Sequence, residues 1–500
     1  MLSVHPIQDL RVARGRIWNI DDMVRRFPVG APTAPWNQGV KVSDEQWIDD
    51  FIYQGYRTHH LPFLVHLKGR FATAHFDAER RCLFLARDWI GELPFHILAT
   101  RQGILISNTI GAIRNAAVAD YAYSYVRAFP QAHIQEIDLS ETDPLCVALT
   151  MRSMEPQQYC DFPSLVHQAG YDVGYELDHS KAEHLRGLLV GSIARRVRSL
   201  SGPLALLLSG GLDSLSIALT MKAMGLKFEA YTLSVDGAGD DVSMAAEFAG
   251  RLHIAHHVIR VSNEDVVQVF EQAVKTSECY PLYNVYCAVG MLLLARKLHE
   301  MGLRSAFCGE GVNEAVGDYK DWEVFNPKTG QVVILQRINS ARIQRTEERQ
   351  LLVWGHPRDK GKYNKQLGSG LAKHAGSRMV KPFLAAGLTL ECPYYDPQLL
   401  SHLVAVPADL LHDLGGKPGL VARVFESDLK QLGLDRELLE SCKKVRLQDA
   451  SEGGRGGITE ILLSKGCDQR LAIDIFNREF GAALDPENDG RRLAWMEERR

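Results

Sequence analysis

The hexapeptide Ser209-Gly210-Gly211-Leu212-Asp213-Ser214 directly follows the apolar run Leu204-Ala205-Leu206-Leu207-Leu208. Five apolar residues broken by Ser-Gly-Gly predict a buried parallel strand that turns sharply into a helix. Neither glycine has a side chain in the way, so the backbone at Gly210 and Gly211 can approach an anion closely. Ser209, Ser214 and the free N–H groups at the start of the helix supply donors for phosphate oxygens. Asp213 inside such a nest would repel the anion unless a divalent cation bridges the two, as oxygen-liganded Mg2+ commonly does. The expected ligand is therefore a nucleoside triphosphate with its metal. The loop is not the longer Gly-rich stretch that ends in Gly-Lys-Ser/Thr.

Five hundred residues imply at least two domains, each large enough for its own core. Net charge is −4, so no basic footprint for nucleic acid is expected. The nine cysteines are scattered and odd in number, and no pair shows zinc-site spacing. Reduced, mostly buried thiols in a cytosolic protein are the simpler reading. The start, Met1-Leu2-Ser3-Val4-His5-Pro6, lacks the layout of a secretory signal, and no apolar stretch approaches membrane length. A cytoplasmic protein with no membrane partner is expected.

The first 160 residues or so read as short strands and turns. Strands are predicted at Leu64–Leu67, Phe71–Phe76, Cys82–Ala86 and Ile104–Ser107, and helices at Ile110–Ala119 and Asp120–Phe129. From about 180 the pattern becomes a βα alternation. Lys181–Leu200 is an amphipathic helix, Phe228–Leu233 and His257–Val261 are strands, and Ser243–Arg251 and Val289–Glu300 are helices. The strand Ser305–Cys308 then leads into Gly309-Glu310-Gly311-Val312-Asn313-Glu314 and Gly317-Asp318-Tyr319. Such a doubly wound α/β layout binds ligands beyond the carboxyl ends of its strands, where Ser209 and Gly309 both fall. Two glycines bracketing a carboxylate predict a loop pressing its backbone against a ligand. From 340 onward the chain is mostly helical, with a polar Gly-rich loop at 445–457.

The Ser209–Ser214 loop resembles the pyrophosphate loop of the ATP pyrophosphatases, which cleave ATP between the α and β phosphates. With the Gly309–Glu314 motif about a hundred residues later, the chain resembles the asparagine synthetases. Glu278 lies in an acidic position that family also uses. Asp359–Lys365 resembles its Asp-x-x-Arg-x-Asn-Lys stretch, and Cys392-Pro393-Tyr394-Tyr395-Asp396 its Val-Pro-Phe-Leu-Asp. Leu67–Ala74 and Leu85–Gly91 resemble the family's glutaminase domain. The resemblance implies an α+β and α/β chain. A degenerate class II glutamine amidotransferase domain of the Ntn-type αββα sandwich would span 1–165. An ATP-pyrophosphatase-like synthetase domain with a doubly wound parallel sheet and a helical C-terminal part would span 180–500.

The same resemblance assigns the site. ATP and pyrophosphate would meet Leu208, Ser209, Gly210, Gly211, Asp213, Ser214, Leu233, Gly309 and Lys417, with Asp213 and Asn313 toward Mg2+. Glu310, with Asp359, would take a proton from the attacking amine. Lys443-Lys444 stands where the family places its catalytic lysine, and Lys444 is assigned that role. The partner is a small, amino-acid-like molecule. A homodimer is one assembly the chain allows.

The departures from the family decide the activity. A glutaminase domain of this type uses a cysteine directly after the initiator Met, and position 2 here is Leu2, so no ammonia from glutamine is expected. Such a degenerate synthetase resembles the β-lactam synthetases, in which an amine of the adenylated substrate closes a ring. Glu310 stands where studied members of that branch have tyrosine. Asn313 replaces a metal-binding aspartate, and Thr389 and Glu391 replace the family's Glu and Arg. The alternatives are ligation of ammonia or a separate amine, peptide cyclisation, and a nucleotide-binding pseudoenzyme.

Overall fold

The computed structural model describes residues 15–28, 46–100, 103–117, 126–140, 156–169, 176–235, 240–316, 376–434, 436–442 and 457–485. Short further pieces lie at 122, 322–326, 331–336 and 349. Two compact units result. One comprises Met1–Phe162, His356–Ala372 and Phe480–Ala482; the other comprises Pro163–Gly355, Lys373–Glu479 and Ala483–Arg500.

In the first unit the strands β1 (Ala72–Asp77), β2 (Cys82–Arg87), β3 (His96–Thr100), β4 (Gly103–Ser107), β5 (Arg127–Ala128), β6 (His133–Asp138) and β7 (Gln157–Gln158) form two antiparallel sheets. Their orders are β1-β2-β6-β7 and β4-β3-β5. Helix α1 (Gln46–His59) buries Phe51, Ile52 and Tyr53. The turn after β2 is built by two charged side chains that serve backbone. Arg87 donates to the carbonyls of Leu93 (2.8 Å), Phe129 (2.6 Å) and Gly91 (2.8 Å). The fully buried Asp88 carboxylate accepts from the N–H groups of Phe71, Ile90 and Glu92. Arg87 and Asp88 therefore satisfy buried peptide groups that would otherwise each cost about 1–3 kcal/mol.

Two expectations fail in this unit. Leu61–His66 is a helix and not a strand. Pro62 pre-sets its first turn, and Phe63, Leu64 and Leu67 recur at helical spacing, all buried. The Asp120–Phe129 stretch is not a continuous helix, because Arg127–Ala128 pairs with Ile97 and His96 as strand β5. Main-chain pairing to a neighbouring strand overrides the local pattern there.

The second unit holds β8 (Leu204–Leu207), β9 (Phe228–Val235), β10 (His256–Val261), β11 (Ser305–Phe307) and β12 (Thr389–Glu391) in one parallel sheet. The order is β10-β9-β8-β11-β12, so the strands wind outward from β8 in one direction and then resume from β11 in the other. Helices α2 (His179–Arg198), α3 (Leu212–Ala223), α4 (Leu282–Glu300), α5 (Val312–Val316), α6 (Pro397–Ala405) and α7 (Lys417–Val424) belong to the same unit. Helix α3 is apolar nearly all round, with Leu215, Ile217, Ala218, Leu219 and Met221 buried. A helix of that kind is a core element, and each large side chain contributes about 1.5–3 kcal/mol by leaving water. Asp396 caps α6 by accepting from the N–H groups of Gln398 and Leu399, and Arg195 of α2 pairs with its other oxygen at 2.5 Å. Among the described residues no helix is long and apolar enough to cross a membrane.

Candidate active site at the reversal of the strand order

Strand order reverses between β8 and β11, and the crevice beyond the carboxyl ends of such a pair is where open α/β sheets hold ligands. The two loops that leave these strands meet there. Gly210 adopts φ +70°, which lets the chain turn from β8 into α3. Hydroxyls stitch the loop shut: Ser214 Oγ accepts from the Ser209 N–H (3.2 Å) and donates to the Gly211 carbonyl (3.0 Å). Leu208, just past the end of β8, and Leu233, inside the adjacent β9, are both buried.

From the second loop, Gly309 lies directly against the first. A Cβ there would fall 2.7 Å from the Asp213 Cβ and 2.9 Å from the Ser214 nitrogen. Sequence reasoning assigns this glycine to close ligand contact, whereas its nearest neighbour is the other loop. Asn313, on α5, donates its amide N–H to Asp213 Oδ2 at 2.8 Å. Lys417, the first residue of α7 and 5 % exposed, donates to Asp213 Oδ1 (2.7 Å) and to Asn313 Oδ1 (2.7 Å). The three side chains close a ring in which each satisfies the other two. The ammonium and the carboxylate fix which way the Asn313 amide points.

Glu310, in the Gly309–Glu314 loop, accepts from Arg378 Nη2. Arg378 lies on a π-helical turn at Gly376–Val380, 3.7 Å from Glu314. It donates to the Tyr283 hydroxyl at 3.2 Å, with its guanidinium over that ring. Burial works against the guanidinium charge, but Glu310 and its neighbours outweigh burial and raise the Arg378 pKa well above its ordinary value. Three residues on, Lys381 donates to Glu278 Oε2 at 2.6 Å, with both side chains buried. Glu278 itself caps its helix in the left-handed region at φ +51°. Arg349, fully buried, donates to the carbonyls of Ala315 (3.4 Å) and Val406 (2.7 Å), which fixes the end of α5.

Residues 184–415 match the asparagine synthase family, and residues 39–115 match a glutamine amidotransferase domain. The chain is similar to a glutamine-hydrolyzing asparagine synthetase of Gallus gallus, 24% identical over 69% of this chain and 57% of that protein. It is also similar to asparagine synthetase B of Escherichia coli K12, 24% identical over 51% of this chain and 44% of that one. The chain thus spans about half the length of the curated relatives it matches. Among solved structures it is similar to an NMN synthetase from Francisella tularensis, at 12% identity and a TM-score of 0.22 over 62% of this chain and 99% of that one.

Within the second unit, the structure brings Ser209, Asp213, Ser214, Gly309, Asn313 and Lys417 together and sets Glu310 three residues past the end of β11, after Cys308 and Gly309. Asp359, Lys443 and Lys444 lie outside the described residues, as do Gly317, Asp318 and Tyr319. Sequence reasoning missed Arg378, Lys381, Tyr283 and Arg349. The basic residues Arg378 and Lys381 stand three apart, one helical turn, which is the local signal that could have found them. Glu391, the expected site of changed substrate contact, is fully buried beside Arg196.

The oxygen-only donor set of Asp213 and Asn313 fits Mg2+, which uses one or two protein carboxylates and takes its remaining ligands from phosphates and water. Imidazole and thiolate are missing from that set, which argues against a softer metal at this position.

Proposed function

We propose that the protein is an ATP-dependent amide-forming ligase that adenylates a substrate carboxylate and closes an amide with an amine of the same molecule. The observation that carries this reading is the Asp213–Asn313–Lys417 ring at the strand-order reversal, with the Glu310–Arg378 pair on the adjoining loop. The Ser209–Ser214 loop would hold the triphosphate, and Lys417 would neutralise charge on the departing pyrophosphate. Asp213, with Asn313, would hold Mg2+, which supplies charge neutralisation on the phosphates. The substrate carboxylate attacks the α-phosphorus, giving an acyl-adenylate and pyrophosphate. The amine then attacks the acyl carbon and AMP leaves. Glu310 would accept the amine proton, its carboxylate oriented by Arg378. Lys444 would stabilise the oxyanion.

An internal amine is favoured by the amidotransferase-like stretch, where the first cysteine is Cys82. Cys82 is a buried residue of β2 whose thiol is pushed up by burial, which is the setting of an inert thiol and not of a nucleophile. A β-lactam is the ring we favour, in antibiotic or toxin biosynthesis. Two observations favour a second reading, ligation of ammonia or a separate amine: Glu310 is retained, and the relatives above are named asparagine synthetases.

The test is mass spectrometry of β-amino and δ-amino acids incubated with the protein, ATP and Mg2+, without ammonia or glutamine. A product one water lighter than its substrate, formed with AMP and pyrophosphate, supports ring closure. An amide that appears only after ammonia is added transfers the protein to the second reading.

A further inference from the structure

His184 on α2 and His402 on α6 meet where those helices pack, with Nε2 to Nε2 at 3.3 Å and ring centroids 4.9 Å apart. The helices run antiparallel, since His184 faces His402 and Arg195 faces Asp396. Their register is locked independently of the histidines. Ser192 Oγ donates to the Pro393 carbonyl at 2.6 Å, and Arg195 pairs with Asp396, the residue that caps α6. The two imidazoles are thus carried on rigid elements held at a fixed separation, which is what a precise binding site requires.

The ring of His402 is itself fixed. Its Nδ1 lies 2.8 Å from the Gln398 carbonyl, so the neutral ring carries its proton at Nδ1 and leaves a lone pair at Nε2, toward His184. One nitrogen anchored on a carbonyl while the other faces outward is the arrangement that metal-ligating histidines commonly adopt. The spacing is the second mark. Two nitrogens bound at about 2.0–2.1 Å to a tetrahedral centre lie roughly 3.3–3.4 Å apart, and the observed separation is 3.3 Å.

We propose that His184 and His402 form a binding site for one divalent transition-metal ion of the zinc, nickel and copper class, which clips α2 to α6. Among the described residues no group of three or more candidate ligands occurs, so those residues supply two nitrogens to this site. Imidazole donors select these ions over Mg2+, so the site differs in chemistry from the oxygen set at Asp213 and Asn313. On binding, the Nε2 proton of neutral His184 shifts to Nδ1, and both Nε2 lone pairs then face the ion. The inference does not rest on the proposed ligase activity.

The experiment is a calorimetric titration of Zn2+, and separately Ni2+, into the full chain without an affinity tag at pH 7.5, with thermal unfolding measured alongside. The result expected is saturable binding of one ion per chain and a Tm that rises with metal concentration. Both effects should disappear in His184→Gln and in His402→Asn. His184 is exposed, so its replacement leaves packing intact and separates lost binding from lost folding. Failure of wild-type protein to bind Zn2+ saturably at 100-fold excess would overturn the proposal. So would a stoichiometric ion that both variants retain.

Discussion

Asn313 and Asp213, a hundred residues apart in sequence, face each other with the Asn313 amide N–H donating to Asp213 Oδ2 at 2.8 Å. Two carboxylates at that separation would repel each other strongly without a cation between them. With asparagine at 313 the ring that includes Lys417 carries one negative and one positive charge and is balanced internally. The Asn313→Asp variant should therefore recruit a divalent ion more strongly. The Mg2+ concentration needed for half-maximal ATP binding, followed by calorimetry, is expected to fall about tenfold. An unchanged Mg2+ requirement would separate Asn313 from the metal.

Gly309 tests the meeting of the two loops. Alanine would place its Cβ 2.7 Å from the Asp213 Cβ, against backbone that has little freedom to give. Gly309→Ala is expected to lower stability by about 1–3 kcal/mol and to weaken ATP binding more than it changes the rest of the unit. Urea unfolding paired with nucleotide titration reads both effects.

The Glu310–Arg378 pair divides base from positioner. Glu310→Gln keeps an oxygen for Arg378 but loses the proton acceptor. Amide product should fall by about 10²–10⁴-fold while ATP/pyrophosphate exchange persists. Arg378→Ala should lower product formation as well, and adding it to Glu310→Gln should cost little more, because both act through one group. Independent, additive losses would place Arg378 in another role.

Asp49 gives a pH signature in the first unit. Burial pushes its carboxyl up to about 7. The folded chain therefore holds a proton that the unfolded chain releases near pH 4. Stability from this group is fully present below pH 4 and is lost as pH rises through about 7, a loss on the order of 4 kcal/mol. Asp49→Asn should flatten that decline, seen as a smaller fall in denaturation midpoint between pH 4 and pH 8.

Much of the second unit was legible in sequence because its signals are local. The run Leu204–Leu208 and the Ser-Gly-Gly break specify a buried strand and a turn, and β9 and β11 are likewise buried runs. The strand at Leu64–Leu67 was misread because a short apolar run does not distinguish strand from helix without its flanking residues, here Pro62. Arg378 and Lys381 escaped notice for a different reason. Their partners Glu310 and Glu278 lie 68 and 103 residues away, and no periodicity connects them. Gly309 was legible as a close approach, but what it approaches is Asp213, a long-range fact that only the fold supplies.

The most direct test of the central claim is phosphorus NMR of the nucleotide products formed by wild-type protein and Asp213→Ala with Mg2+ and an accepted amino acid substrate. The account predicts AMP and pyrophosphate in equal amounts from the wild type and neither from the variant. ADP and inorganic phosphate, or AMP formation that survives the loss of Asp213, would contradict it.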